Sequence, residues 1–215
     1  SGVVSPPVLK GLRAGFEQKA KGLVDDLMQR RQFDGIADFA RAYPLSVFPD
    51  AVGIQQEGRE KLLPHADLLF NSFGPRNELF DASRANADFA YVEAQGQRAN
   101  LASGGLGMRL HDAAAKAAFP EEKASMLVRA LVQAGLDTTI NAIGATLFCL
   151  ARFPDQWRKL RANPALVKAA FDEAIRFESP VQTEFRTATC DTEIGGMTVR
   201  AGEKILILLG GANRD

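Results

Sequence analysis

The run Ala134-Gly135-Leu136-Asp137-Thr138-Thr139 places a carboxylate and two hydroxyls beside a glycine inside a long apolar stretch. Helix propensity does not explain it. Glycine in a helix interior costs about 1 kcal/mol against alanine, and Asp or Thr in apolar surroundings costs more unless it finds a partner. Such local conflicts gather at functional or strained sites. On a helix Ala134, Asp137 and Thr138 share one face, and Gly135 removes side-chain bulk beside them, so a ligand could approach the backbone closely. A carboxylate and a hydroxyl there suit proton transfer to a bound group, and a Thr that bonds back to the i−4 carbonyl tends to bend its helix. The same run also reads as a close helix crossing with Asp137 paired to an arginine. Glu173-Ala174-Ile175-Arg176 sets a carboxylate and a guanidinium side by side at i, i+3, the spacing of an ordinary surface pair. Arg186, ten residues further on, could hold a ligand carboxylate as a bidentate donor.

Other chemistries are excluded or weak. With only His65 and His111, a His-rich metal site is excluded. Cys149 and Cys190 have neither CxxC spacing nor neighbouring histidines, and read as reduced packing residues rather than a disulfide framework. Ser103-Gly104-Gly105-Leu106-Gly107 could cradle a phosphate, but no Lys-Ser/Thr follows and no strand precedes it, so it reads as a helix-to-helix loop.

The elements that position these residues are mostly helical. The chain has 215 residues, 46% of them hydrophobic and 24% charged, with 26 Lys+Arg against 26 Asp+Glu. This is a packed, soluble composition, and charge balance without a basic patch argues against nucleic-acid binding. The longest apolar runs fall short of the roughly 20 residues that span a bilayer, so no membrane is expected and the chain is read as cytoplasmic. Three- and four-residue spacing predicts helices over Val8 to Arg30, Ile36 to Tyr43, Glu57 to Phe70 and Ala82 to Leu101, with breaks at Pro44 and Pro49. Phe119-Pro120-Glu121-Glu122 then opens an uninterrupted pattern that runs to Arg152-Phe153-Pro154, a central helix of about 30 residues and about 45 to 50 Å. Its middle is apolar nearly all round, the mark of a helix buried on most sides. Helices over Asp155 to Ala162 and Ala165 to Glu178 follow. Beyond Ser179-Pro180, β-branched and aromatic residues with turns at Gly195-Gly196 and Ala201-Gly202 predict a small antiparallel sheet that includes Cys190. The fold class is mainly α: a single partial domain over 1–215, with a helical core over 1–178 and a small β segment over 183–209.

Taken in this order, the features resemble the cytochrome P450 superfamily of haem-thiolate monooxygenases. The resemblance rests on the central helix with Ala134-Gly135-x-Asp137-Thr138-Thr139, the Glu173-x-x-Arg176 helix, the Ser179-Pro180 turn, the strand with Arg186, and the closing Gly211-Ala212-Asn213-Arg214-Asp215. Upstream, Phe33-Asp34-Gly35-Ile36-Ala37-Asp38 and Val47-Phe48-Pro49-Asp50-Ala51-Val52-Gly53 are similar to the segments before the substrate lid in soluble bacterial members. The resemblance implies haem as cofactor, electrons ultimately from NAD(P)H, and a ferredoxin or flavodoxin-type redox partner. It gives Asp137 and Thr138 catalytic roles, proton relay and a hydroxyl toward the oxygen that the haem activates. Ala134 and Gly135 would leave room for that oxygen, and Arg186 would bond a haem propionate. Glu173 and Arg176 would form a structural ion pair. Phe70, Phe73, Arg129, Ala130, Gln133, Val181, Glu184 and Phe185 would line the substrate pocket. The axial cysteine is expected beyond Asp215, so no metal ligand is expected in this chain, which would be inactive alone. The implied reaction is hydroxylation or O-demethylation of a small aromatic substrate, with para-substituted benzoates the suggested class. Glu184 fits a benzoate poorly, because a carboxylate in an apolar pocket repels an anion or must become neutral. The alternative is a helical interaction module that has lost its haem site.

Overall fold

A computed structural model describes residues 2–73, 76–85 and 88–215, with the side chains of Asp67, Phe73, Arg84, Asp88 and Phe89 left aside. The chain divides into two compact units, Ser1–Ile140 and Asn141–Asp215.

The first unit opens with α1 (Pro6–Arg30), whose proline sits at the start of the helix, where a missing amide costs nothing. A turn of π-helix (Gly35–Arg41), capped by the Asp34 carboxylate on the Ile36 and Ala37 amides, leads directly into α2 (Ala42–Val52). The helix predicted to end at Tyr43 therefore continues, and neither proline breaks it. Pro44 lies just past the junction of the π-helix with α2 and Pro49 is inside the helix, both rings buried. Burial of Val47, Pro49, Ala51 and Val52 offsets the hydrogen bond that Pro49 forgoes. A 3-10 turn (Arg59–Lys61) precedes α3 (Leu62–Phe73). Of the single helix predicted over Ala82 to Leu101, residues 82–85 lie in α4 (Glu78–Ala85) and 88–95 in α5 (Asp88–Gln95), residues 86–87 lie outside the described residues, and the helix ends at Gln95, short of Leu101, with a 3-10 turn (Arg98–Asn100) beyond it. The glycine cluster is a connection, as expected: Gly105 is the N-cap of α6 (Leu106–Lys116), a helix that the pattern did not single out.

The core of this unit gathers Val52, Ile54, Leu62, Val92, Leu101, Val128, Val132 and Leu136. The last three lie on α7 (Glu121–Arg152), at steps of four along one face. By length and composition alone α7 is long and apolar enough to cross a membrane, although no single apolar run within it is. In the first unit, however, its apolar stripe is spent on this core, with Val128 and Leu136 fully buried.

The second unit holds the end of α7, then α8 (Pro154–Ala162), a 3-10 turn (Pro164–Leu166) and α9 (Val167–Glu178). The β residues form two separate antiparallel ribbons rather than one sheet. β1 (Glu184–Thr187) pairs with β4 (Lys204–Ile207), setting Arg186 opposite Ile205, and β2 (Thr192–Ile194) pairs with β3 (Met197–Val199) around Gly195-Gly196. Cys190 lies in a bend between β1 and β2, not on a strand. A single turn of helix, α10 (Leu209–Ala212), ends the unit.

Truncating Leu136 to Ala removes a fully buried side chain from the centre of the first core. The expected loss is about 2–5 kcal/mol of unfolding free energy, read from the urea midpoint at constant m-value.

Candidate functional site

In the first unit the singled-out run occupies one stretch of α7, and the helix passes through it without a break. Leu136 points into the core and Ala134 is exposed on the other side. Thr138 Oγ1 donates to the Ala134 carbonyl at 2.8 Å. That bond satisfies the hydroxyl proton within the helix and leaves the oxygen lone pairs to accept from a donor brought alongside. Residues 134–139 remain α-helical, so the helix does not open at this run. Asp137 is half-buried and partnered.

Gly135 has a packing reason for lacking a side chain. A Cβ there would run into the ring of Phe48 from α2. The bulk missing at Gly135 is taken up by this ring, while the open face of the run is that of Ala130 and Ala134.

Two further α7 side chains predicted to meet substrate already have protein partners. Arg129 Nη1 lies 2.7 Å from Glu93 Oε1 of α5, and its aliphatic stem lies over Gly96, where a Cβ would strike both that stem and the Ser125 carbonyl. The Gln133 side-chain amide sits 2.9 Å from Nε2 of the buried His65 on α3. Phe70 is exposed near the end of α3; the side chain of Phe73, the last residue of α3, lies outside the described residues. Glu93, His65 and Phe48 were not singled out as site residues from the sequence. Their partners are 36, 68 and 87 positions away along the chain, and no local pattern reports such a pairing.

In the second unit Arg176 holds Glu173 with two bonds of 2.7 Å, one to each carboxylate oxygen. This fork is more specific than the surface pair that spacing alone suggests. Its third nitrogen donates to the Asn213 carbonyl. Asn213 Nδ2 donates to Ser179 Oγ at 2.9 Å, Arg214 Nε donates to the Phe177 carbonyl at 2.7 Å, and the Arg214 guanidinium stacks 4.8 Å from the Phe177 ring centre. The Asn213-Arg214 segment is thus fastened to the C-terminal end of α9. The bond from Arg176, then its charge, holds the Glu173 carboxyl below the ordinary glutamate range.

On β1, Arg186 Nη1 reaches Glu184 Oε2 at 3.0 Å, the two residues sharing one face of the strand. Phe185 is exposed and Val181 half-buried. A groove of about 480 Å³ between the end of α7, α8 and α9 is lined by Cys149, Leu150, Phe153, Ala174 and Phe177 among others; Glu173 is the one sequence-predicted site residue described on its wall.

In the first unit the open face of α7 carries only methyl groups at Ala130 and Ala134, which leaves room for a flat group such as a haem; in the second unit, by itself, Arg186 has an exposed guanidinium of the kind that binds a carboxylate. Neither described thiol suits the axial position. Burial, and then the Glu178 carboxylate at 3.9 Å, pushes the Cys149 thiol up, which disfavours a thiolate. Cys190 is in an exposed bend.

On this chain a run of acid and alcohol on a long core helix is followed by a Glu-x-x-Arg fork fastened to an Ala-Asn-Arg-Asp end. The family model of Cytochrome P450 matches residues 37–215, and the chain belongs to the cytochrome P450 family. It is 54% identical to Cytochrome p450 CYP199A2 of Rhodopseudomonas palustris over its whole length, which is 53% of that protein. It is 30% identical to the Biotin biosynthesis cytochrome P450 of Bacillus subtilis, again over the whole chain and 56% of the relative. The crystal structure of P450BioI in complex with an acyl carrier protein ligated to hexadec-9Z-enoic acid superposes with a TM-score of 0.86, 30% identity, and coverage of 100% of this chain and 57% of that one. The chain therefore spans about half the length of the relatives that it matches.

Because the Glu173 carboxyl titrates lower in the folded chain than when unfolded, the Arg176 fork stabilises the fold above the ordinary glutamate pKa and is lost as pH falls through the lowered value. Glu173→Gln is expected to lower the thermal midpoint at pH 7, and the difference from the unmodified chain is expected to shrink as the pH falls below the ordinary glutamate range, as read by circular dichroism.

Proposed function

We propose that this chain is part of a haem-dependent monooxygenase that hydroxylates or O-demethylates a small aromatic substrate. The observation that carries the proposal is the placement of Ala134, Asp137 and Thr138 on α7 in a chain of the cytochrome P450 family. Haem, when bound, supplies oxygen activation and the oxidising chemistry. The residues of this chain do the rest. Ala134 keeps the face of α7 low enough for a flat ring to approach. Thr138, its own proton committed to the Ala134 carbonyl, offers a lone pair to a protonated oxygen beside it. Asp137, half-buried one position earlier, is the carboxylate assigned to the proton relay. Gly135 lets Phe48 close the opposite side and keep water out. Arg186 pairs with a propionate, exchanging its exposed bond to Glu184 for a charged partner on the cofactor.

Phe70, Phe73, Arg129, Ala130, Gln133, Val181, Glu184 and Phe185 are assigned to the substrate pocket. The electron donor is assigned as a ferredoxin or flavodoxin-type protein fed from NAD(P)H, and the setting as cytoplasmic. What supports the haem-dependent reading is membership of the cytochrome P450 family along most of the chain.

In the full-length, haem-loaded protein, Thr138→Ala is expected to lower product formed per NAD(P)H consumed several-fold while NAD(P)H oxidation continues. Unchanged coupling would return the Ala134–Thr139 run to a purely structural role.

A further inference from the structure

The cation that α7 would offer an anionic substrate already has an acidic partner. Arg129 is the α7 residue assigned to the pocket with a permanent positive charge. Its guanidinium lies 2.7 Å from the Glu93 carboxylate, with its own side chain 24% exposed and that of Glu93 63% exposed. Its stem lies over Gly96, just past the end of α5. Gln133, one turn on, is engaged by the buried His65.

A carboxylate that leaves water for an apolar site is strongly disfavoured unless a cation or several donors receive it. An incoming benzoate would meet an arginine already neutralised and would have to displace Glu93. An uncharged aromatic faces no such demand. Resting on the reading that Arg129 lines the substrate pocket, we propose that Glu93 sets the charge preference of that pocket: by holding Arg129 it withholds the cation, so the site takes an uncharged aromatic ahead of the corresponding carboxylate. Because Glu93 is itself largely exposed, its hold is modest, and removing its charge should shift the preference rather than abolish binding.

The test compares para-methoxybenzoate with para-methoxybenzyl alcohol by spin-state titration of the full-length, haem-loaded protein, in the unmodified form, Glu93→Gln, Arg129→Gln and the double variant. Glu93→Gln is expected to raise affinity for the benzoate about fivefold and to leave affinity for the alcohol unchanged, with the gain absent from the double variant. A second readout needs no ligand: phenylglyoxal should modify Arg129 faster in Glu93→Gln, followed by peptide mass spectrometry. An unchanged benzoate-to-alcohol ratio, or an equal gain for both ligands, overturns the proposal. Failure of either ligand to shift the spectrum in any variant, with the phenylglyoxal rates still differing, would show that the aromatic-substrate reading had failed, and the proposal with it.

Discussion

One buried stripe holds the first unit together. Val128, Val132 and Leu136 descend one side of α7 and meet side chains from α2, α3, α5 and the Ile54–Leu101 bridge. The orientation of α7 about its own axis is decided by this apolar burial. Everything polar on the helix takes its direction from that choice. With Leu136 committed inward, Ala134 is turned outward, and Asp137 and Thr138 are left on the flank between. The chemistry of the run is therefore aimed by residues that take no part in it.

The second unit solves a different problem with polar bonds. Few of its side chains are buried, and its strands are short and exposed. What fixes the end of the chain is a set of directional contacts around the end of α9: the Glu173–Arg176 fork, the Arg176 bond to the Asn213 carbonyl, and Arg214 seated on Phe177. A guanidinium with five donors can serve a carboxylate and a carbonyl at once, which lysine cannot do.

Local periodicity carried much of this into view before any coordinates. The central helix, the two helices after it and the Glu173–Arg176 pair follow from spacing, because each depends on residues a few positions apart. Pro49 misled for a physical reason: the sequence shows the missing amide but not the burial of Val47 and Val52 that outweighs it. The stretch 82–101 misled likewise, since apolar spacing continues where the chain turns at Gly96 against Arg129 and Ser125. The Arg129–Glu93 and Gln133–His65 contacts were out of reach, because they join positions that only the tertiary fold makes neighbours.

The contact of Phe48 with Gly135 joins two positions on different helices into one volume. A ring on α2 fits because α7 offers a hydrogen where any other residue would offer carbon. Neither site can drift alone: a larger residue at 135 needs a smaller one at 48, and a smaller one at 48 leaves a void beside the acid and the alcohol. In a lineage of such chains the two positions should change together or not at all, and the segment around Phe48, remote in sequence from any chemistry, should be as constrained as the run that it covers.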